Sequence, residues 1–586
     1  MAKPKKPILN TLQAILKDSV SQYGDKIAYT NRTPCTLTYK DLGQETSAFG
    51  FFLAKHGIRQ FDKVGLIGEN MPQWGVSYFG IASIGAVIVP ILVDFSLTEI
   101  TTVLCHAEVK ALILSEKVYK KIGSDLAFDG LIIIMNDFHC PVSTESVKEF
   151  KQNHIDEYNS FIPYVVKESD LACIIYTSGT TGRSKGVMLT NENIVWDAFQ
   201  CTTIYPVTFE DIYLSVLPLA HTYECTLGLV LGTMQGAMTH YIDKAPTANV
   251  LMPLMRKIRP TMMLTVPLII EKLFKIGVRP KLTKTTFMRF LYGIRPFQYI
   301  LHRTAGKKLY RVFGGRLRFF GIGGAAVSPE VERFLRDSSF PYSCGYGLTE
   351  TSPMIFGSAV GKTIFRSVGP VMKGVESKVV NTNSQTGEGE VLVHGRNVMK
   401  GYYKDPETTA KVLSPGGWFL TGDLGIMDKH GNLTLRGRSK NMILGSSGEN
   451  IYPEEIEAIL NEMDNVVESV VYQDKGKLVA MVYLNKEEFS KRYQELKQSA
   501  HDYEEELKLR MENYMKELRE RVNQAVNKYS QLADIHLKNE PFEKTATQKI
   551  KRFLLSKNTD TTKGSEKSNS KSSDKKPNSK IHTREA

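Results

Sequence analysis

Tyr176-Thr177-Ser178-Gly179-Thr180-Thr181-Gly182-Arg183-Ser184-Lys185-Gly186 follows directly on the apolar run Leu171–Ile175. Glycines free a backbone to curl, so that its N–H groups can converge on anionic oxygens, and hydroxyls and a lysine add further donors. The stretch reads as a phosphate cradle at the end of a buried strand, formed by Thr177, Ser178, Gly179, Thr180, Thr181, Gly182 and Lys185. It is not a Walker A loop, because Gly-Lys-Ser/Thr does not follow Gly179 at the spacing that motif needs.

On either side of the cradle, helical patterns alternate with short β-branched runs. Tyr39 to Lys55 and Gln73 to Ile84 have helical spacing, whereas Lys63–Ile67 and Ala86–Leu92 read as strands. Further apolar runs (Ala111–Ser115, Leu131–Met135, Tyr213–Leu217, Met262–Val266, Leu317–Ile322) each lead into turn residues or a helix signal. That alternation predicts an α/β fold with mostly parallel sheet. From about Ser367 to Arg436 the pattern changes to short strands and Gly-rich turns, which predicts a small β-subdomain. Pro453-Glu454-Glu455 then opens a helix with proline early and acids in the first turn. Val466–Tyr472 and Leu478–Leu484 follow as a hairpin, and apolar residues from Tyr503 to Tyr529 recur at three- and four-residue spacing as one long amphipathic helix. The expected architecture is a large N-terminal α/β domain of layered sheets (1–437, with the β-subdomain at about 367–437). A small, mobile α+β C-terminal domain (438–556) and a disordered basic tail (557–586) follow.

With 586 residues, 42% hydrophobic and 23% charged, the chain has globular composition, which excludes a mostly disordered or fibrous protein. The seven cysteines include no C-x-x-C pair, so neither a disulfide framework nor a zinc ribbon is expected, and a reducing, cytoplasmic setting fits. No apolar segment suited to secretion follows Met1-Ala2-Lys3-Pro4. Val76 to Val93 is long enough to span a bilayer, but its serines, glycines and Pro90 read better as a helix turning into a buried strand. The net charge of +13 is concentrated in two places. Twelve Lys or Arg and no acids lie between Lys275 and Arg318, and the tail has eight basic against four acidic residues. Aromatic and aliphatic residues interleave the 275–318 cations, so this stretch could meet an anionic membrane surface as a peripheral contact at the inner face, or a phosphate-rich ligand. No nucleic-acid motif accompanies the charge.

Further blocks appear downstream in a fixed order. They are Pro218-Leu219-Ala220-His221-Thr222-Tyr223-Glu224, Gly323-Gly324-Ala325-Ala326, Gly345-Tyr346-Gly347-Leu348-Thr349-Glu350, Gly417-Trp418-Phe419-Leu420-Thr421-Gly422-Asp423, and Gly437-Arg438-Ser439-Lys440. Glu449-Asn450-Ile451-Tyr452-Pro453-Glu454-Glu455 and Lys544-Thr545-Ala546-Thr547-Gln548-Lys549-Ile550 complete the set. With the cradle, they resemble the adenylate-forming (AMP-binding) superfamily over about residues 10–555, and Trp418 to Glu457 is similar to the signature of long-chain fatty-acid–CoA ligases.

The resemblance implies a reaction in two halves. A carboxylate attacks the α-phosphate of ATP, and a thiol then attacks the acyl-adenylate. Both first-step reactants are anions, so positive charge and a metal must reduce their repulsion. By resemblance, Glu350 is the Mg2+ ligand, a hard oxygen donor suited to that ion, and Thr349 meets the α-phosphate. Asp423 accepts the ribose hydroxyls, Arg438 reaches the ribose and phosphate, and Lys549 bridges carboxylate and phosphate. Gly323, Gly324 and Ala325 form a flat adenine slot with Gly345, Tyr346 and Gly347, where Tyr346 stacks on the base. His221 stands near the phosphates and the acyl entrance, Lys440 is the hinge, and Ser447 and Gly448 face the CoA channel. Gln548 and Cys344 depart from the family's commoner residues at their positions.

The reading that follows is a long-chain fatty-acid–CoA ligase using ATP, Mg2+ and CoA. An acyl–acyl-carrier-protein synthetase or acyl-AMP ligase shares the same first half. An inactive, membrane-associated interaction protein is opposed by the joint presence of Lys549, Glu350 and Asp423.

Overall fold

The computed structural model describes residues 10–31, 35–141, 145–177, 184–242, 244, 246–445, 449–485, 489, 500–545, 550–552 and 554. Helix starts are written in local chemistry. Thr38 with Asp41, Ser96 with Glu99 and Thr190 with Asn193 each form a reciprocal capping box, which satisfies backbone donors that a helix's first turn leaves unpaired. Between these helices run strands such as Val87–Ile91, buried at every position, as strands covered on both faces must be.

Two large sheets result. In one the order is Gly401–Tyr402, Lys185–Thr190, Leu171–Thr177, Val87–Ile91, Lys63–Ile67, Val109–Leu114, Leu131–Ile134. Its last five strands are parallel, and the first two add antiparallel. The other runs Met354–Gly357, Tyr342–Gly347, Phe319–Ile322, Met262–Thr265, Ile212–Ser215, Met238–Tyr241, Ile27–Asn31, Thr36–Thr38, with antiparallel strands only at its two edges. A five-stranded antiparallel sheet follows (Gly369–Pro370, Asn432–Arg438, Phe419–Met427, Gly389–His394, Glu376–Val380). Apolar packing joins these three sheets in one core running from Leu12 to Leu433.

A second core, Ile451 to Ile535, lies beyond. It packs the helix Pro453–Glu462 and the helix Ala500–Ala525 against the sheet Val466–Asp474, Lys477–Leu484, Asp534–Lys538. Polar contacts join the two bodies. Arg436, which also pairs with Glu388 of its own body, reaches Glu455 at 2.9 Å, Tyr452 donates to Glu388 at 2.8 Å, and Arg279 pairs with Asp464 at 3.3 Å.

The stretch from Val76 to Val93 is divided between the helix Pro72–Ser83 and the strand Val87–Ile91. Among the described residues no helix is long and apolar enough to cross a membrane. None of the seven cysteines forms a disulfide. The tail 557–586 lies outside the described residues.

Candidate active site

In open α/β sheets, ligands collect in the crevice outside the carboxyl ends of parallel strands. Here Phe319–Ile322 and Tyr342–Gly347 lie side by side in register (Ile322 opposite Cys344), so Gly323 leaves its strand at the level where Gly345 continues in the neighbouring one. Gly323 donates to the Thr265 carbonyl at 3.1 Å, and a Cβ there would come within 3.2 Å of the Tyr223 ring. Gly324 has φ +85°, a conformation open to glycine at little cost. Gly347 is forced by contact: a Cβ would stand 1.7 Å from the Pro353 carbonyl oxygen, where the chain turns back into Met354–Gly357.

Next to this glycine floor the Tyr346 hydroxyl donates to Asp423 Oδ2 at 2.5 Å, and Arg438 Nε meets Asp423 Oδ1 at 2.7 Å. Asp423 and Arg438 are cross-strand partners in the five-stranded sheet, which fixes the pair. Burial, with the Asp423 charge beside it, holds the Tyr346 hydroxyl far above its ordinary pKa, so it stays protonated and donates.

Thr349 and Glu350 stand half-buried in a short 3-10 turn, Thr349–Thr351. One Glu350 carboxylate oxygen accepts the Tyr402 hydroxyl at 2.9 Å, and its backbone carbonyl accepts Met399 N–H at 2.9 Å. Lys185 Nζ lies 4.8 Å from the centre of the Tyr402 ring. Because Thr177 pairs with Lys185 across the hairpin, the cradle is closed at its base beside Tyr402, and Tyr402 itself pairs with Val187. The structure therefore joins the exit of the cradle to Glu350 through a tyrosine that no motif singles out. Only a tyrosine fifty-two positions from its acceptor could have signalled it.

His221 caps the turn Thr222–Glu224. Its Nδ1 accepts Tyr223 N–H at 3.2 Å, which puts the ring proton on Nε2. Cys344 is half-buried, and burial pushes its thiol up to about 12, so it is a neutral thiol at the floor of the crevice. Below the floor is an apolar cavity lined by Tyr205, Tyr223, Leu227, Leu231, Phe319 and Met354, among others, and it reaches Gly345. Behind its wall Glu224 is 1% exposed, with Oε2 unpartnered, and burial pushes its carboxyl up to about 8. A π-helical turn, Cys225–Val230, follows it; such turns are frequent at functional sites.

Lys440 is exposed on the 3-10 turn Ser439–Asn441 between the two cores. Of the other sequence candidates, Ser178, Gly179, Thr180, Thr181 and Gly182, then Ser447, Gly448 and Lys549, lie outside the described residues. No cluster of three or more His, Cys, Asp or Glu able to hold a metal occurs among the described residues. A lone carboxylate in an open crevice suits Mg2+, which is commonly held by one or two carboxylates together with substrate phosphates.

The chain belongs to the AMP-binding enzyme family, whose sequence pattern matches residues 16–403. It is 28% identical to a chloroplastic long-chain-fatty-acid–[acyl-carrier-protein] ligase of Arabidopsis thaliana, over 81% of this chain and 76% of that protein. It is 30% identical to the peroxisomal long chain acyl-CoA synthetase 7 of the same plant, over 77% of this chain and 69% of that protein. Among solved structures, ATP-bound MatB from Rhodopseudomonas palustris shares the fold with a TM-score of 0.72 at 22% identity, over 95% of this chain and all of that one.

Proposed function

We propose that the protein activates a long-chain fatty acid with ATP to acyl-AMP and pyrophosphate, then transfers the acyl group to CoA with release of AMP. The observation that carries this reading is the meeting of two environments at Gly345 and Tyr223. On one side lies the apolar cavity, whose lining has the chemistry an acyl tail would contact, and on the other the polar crevice of Tyr346, Asp423, Arg438 and Glu350. An acid whose tail fills the cavity presents its carboxylate at the crevice, where an α-phosphate can be held in line with it.

In this reading, the glycine floor and Tyr346 accept the adenine. The two Asp423 oxygens take the ribose hydroxyls, with Arg438 alongside. Thr349, His221, Lys185 and the cradle face the phosphates. When bound, Mg2+ supplies positive charge between carboxylate and triphosphate, and Glu350 is the side chain that would hold it. Lys549 brings an ammonium to the developing charge. The exposed Lys440 turn lets the second core reorient so that Ser447 and Gly448 border the thiol's path. A reducing compartment such as the cytoplasm suits the seven cysteines. Acyl carrier protein is the alternative acceptor, favoured by the name of the first Arabidopsis relative.

The test is Mg2+-dependent AMP formation from palmitate and ATP, with CoA, with acyl carrier protein, or with neither. Catalytic AMP release only with CoA supports the reading, and release only with carrier protein replaces the acceptor. Lys549→Ala should abolish acyl-AMP formation; full activity in that variant would remove Lys549 from the mechanism.

A further inference from the structure

The helices Thr286–Tyr292 and Arg295–Val312 are held rigidly from one side only. Arg295 clamps Asp337 through two hydrogen bonds at 2.6 and 2.7 Å, and His302 Nδ1 meets the same carboxylate at 2.7 Å. The Tyr292 hydroxyl joins His302 Nε2 at 3.1 Å and Glu330 at 3.3 Å. The longer helix buries His302, Gly306 and Leu309, which fall on one stripe.

Its opposite stripe is Phe297, Ile300, Thr304, Lys307, Lys308 and Arg311, and the shorter helix has no fully buried residue, with Tyr292 packed partly against the core. Phe287 is 68% exposed, Phe290 66%, Ile300 59% and Phe297 47%. Exposed apolar groups this large, collected on adjoining helices, mark an interaction surface.

The cations of 275–318 do not act as one block. Lys275 and Arg279 face the second core, Arg295 is tied to Asp337, and Arg318 pairs with Asp211. Lys281, Lys284, Lys307, Lys308, Arg311 and Arg316 have no carboxylate partner among the described residues, and the segment contains no acid.

We infer that this face docks on an anionic lipid bilayer, with the phenylalanines and Ile300 entering the headgroup–acyl boundary and the unpaired cations held at the phosphates. Phenylalanine beside Lys and Arg is the composition of helices that lie in a membrane interface. Of the two partners that would answer the charge, a bilayer also offers a continuous apolar layer to side chains standing out from both helices. An acidic protein that answered the charge alone would leave the phenylalanines in water. The segment also ends at the proposed acyl site, since Arg318 lies 5.3 Å from the ring centre of Tyr205, which lines the apolar cavity. The inference rests on the fatty-acid reading for its purpose, but not for its geometry.

The experiment is vesicle co-sedimentation of the full chain. Wild type should bind phosphatidylcholine–phosphatidylglycerol vesicles at low salt, bind phosphatidylcholine alone weakly, and lose most binding at high salt. Replacing Lys307, Lys308 and Arg311 together by Ser should weaken low-salt binding roughly a hundredfold, at about fivefold per basic residue. Phe287→Ser with Phe290→Ser should weaken it at least about tenfold. Phe290→Trp should add indole emission that lipids with brominated acyl chains quench. AMP formation from a soluble short-chain acid, unchanged in all three variants, shows that they fold and reports on the enzymatic reading separately. The inference is overturned by any of these results: no vesicle binding, equal binding to neutral vesicles, wild-type binding by both Ser variants, emission of the Phe290→Trp variant left unquenched by brominated lipid, or capture of an acidic carrier protein without vesicle binding.

Discussion

Replacing Tyr402 by Phe removes a single oxygen, the one that donates to Glu350 at 2.9 Å, and keeps the ring beneath Lys185. A hydrogen bond to a charged group contributes about 1.5–3 kcal/mol. Glu350 is half-buried, so the lower end applies, and about 1.4 kcal/mol corresponds to a tenfold change in rate. Loss of a group that orients a metal-binding side chain typically costs about 10- to 100-fold in metal affinity or activity, which agrees with that figure. ATP–pyrophosphate exchange in Tyr402→Phe should therefore fall about tenfold, and the Mg2+ concentration for half-maximal exchange should rise. Because the tyrosine acts through Glu350, the loss should disappear in a Glu350→Gln background. If Tyr402→Phe exchanges within twofold of wild type at limiting Mg2+, or if the two substitutions simply add, Tyr402 does not position Glu350.

Asp423→Asn keeps the shape but gives the Tyr346 hydroxyl and Arg438 a weaker acceptor; at about 2 kcal/mol this lowers kcat/KM for ATP roughly thirtyfold, read by varying ATP at saturating acid. Burial raises the Glu224 carboxyl from 4.5 to about 8, so the unfolded chain gives up that proton first and stability falls as pH rises across this window. From about pH 5.5 to about 7 the loss is about 1.4 kcal/mol per unit, fading towards pH 8, and denaturant titrations of Glu224→Gln should lack that slope; identical slopes would refute it. Gly347→Ala drives a methyl into the Pro353 carbonyl and should destabilise by about 3 kcal/mol, seen as a lowered melting temperature; an unchanged one would mean the turn relaxes freely.

What could be read from sequence was local. The strands Lys63–Ile67 and Val87–Ile91 and the helix Tyr39–Lys55 follow from runs and periodicities a few residues long, and the residues that cap helices sit beside them. Strand order was not legible, since Ile27–Asn31 pairs with Met238–Tyr241 across some two hundred residues and no local pattern encodes that choice. The Asp423–Arg438 pair was within reach because both lie in ordered motifs. Its clamp by Tyr346 was not, and neither was Tyr402 on Glu350, because a tyrosine's hydrogen-bond partner depends on packing between distant strands. The cations of 275–318 looked uniform because the carboxylates that engage some of them, Asp211, Asp337 and Asp464, lie outside the segment.

The two apolar cores share no residue, and among the described residues ion pairs and hydrogen bonds cross between them. Partly exposed ion pairs contribute about 0–1 kcal/mol each, and salt screens them. If the second core turns about Lys440 as proposed, parting a seam held mainly by polar pairs, with Tyr452 its one buried aromatic among the described residues, should carry only a small heat-capacity change. Ionic strength, more than temperature, should then tune that proposed movement.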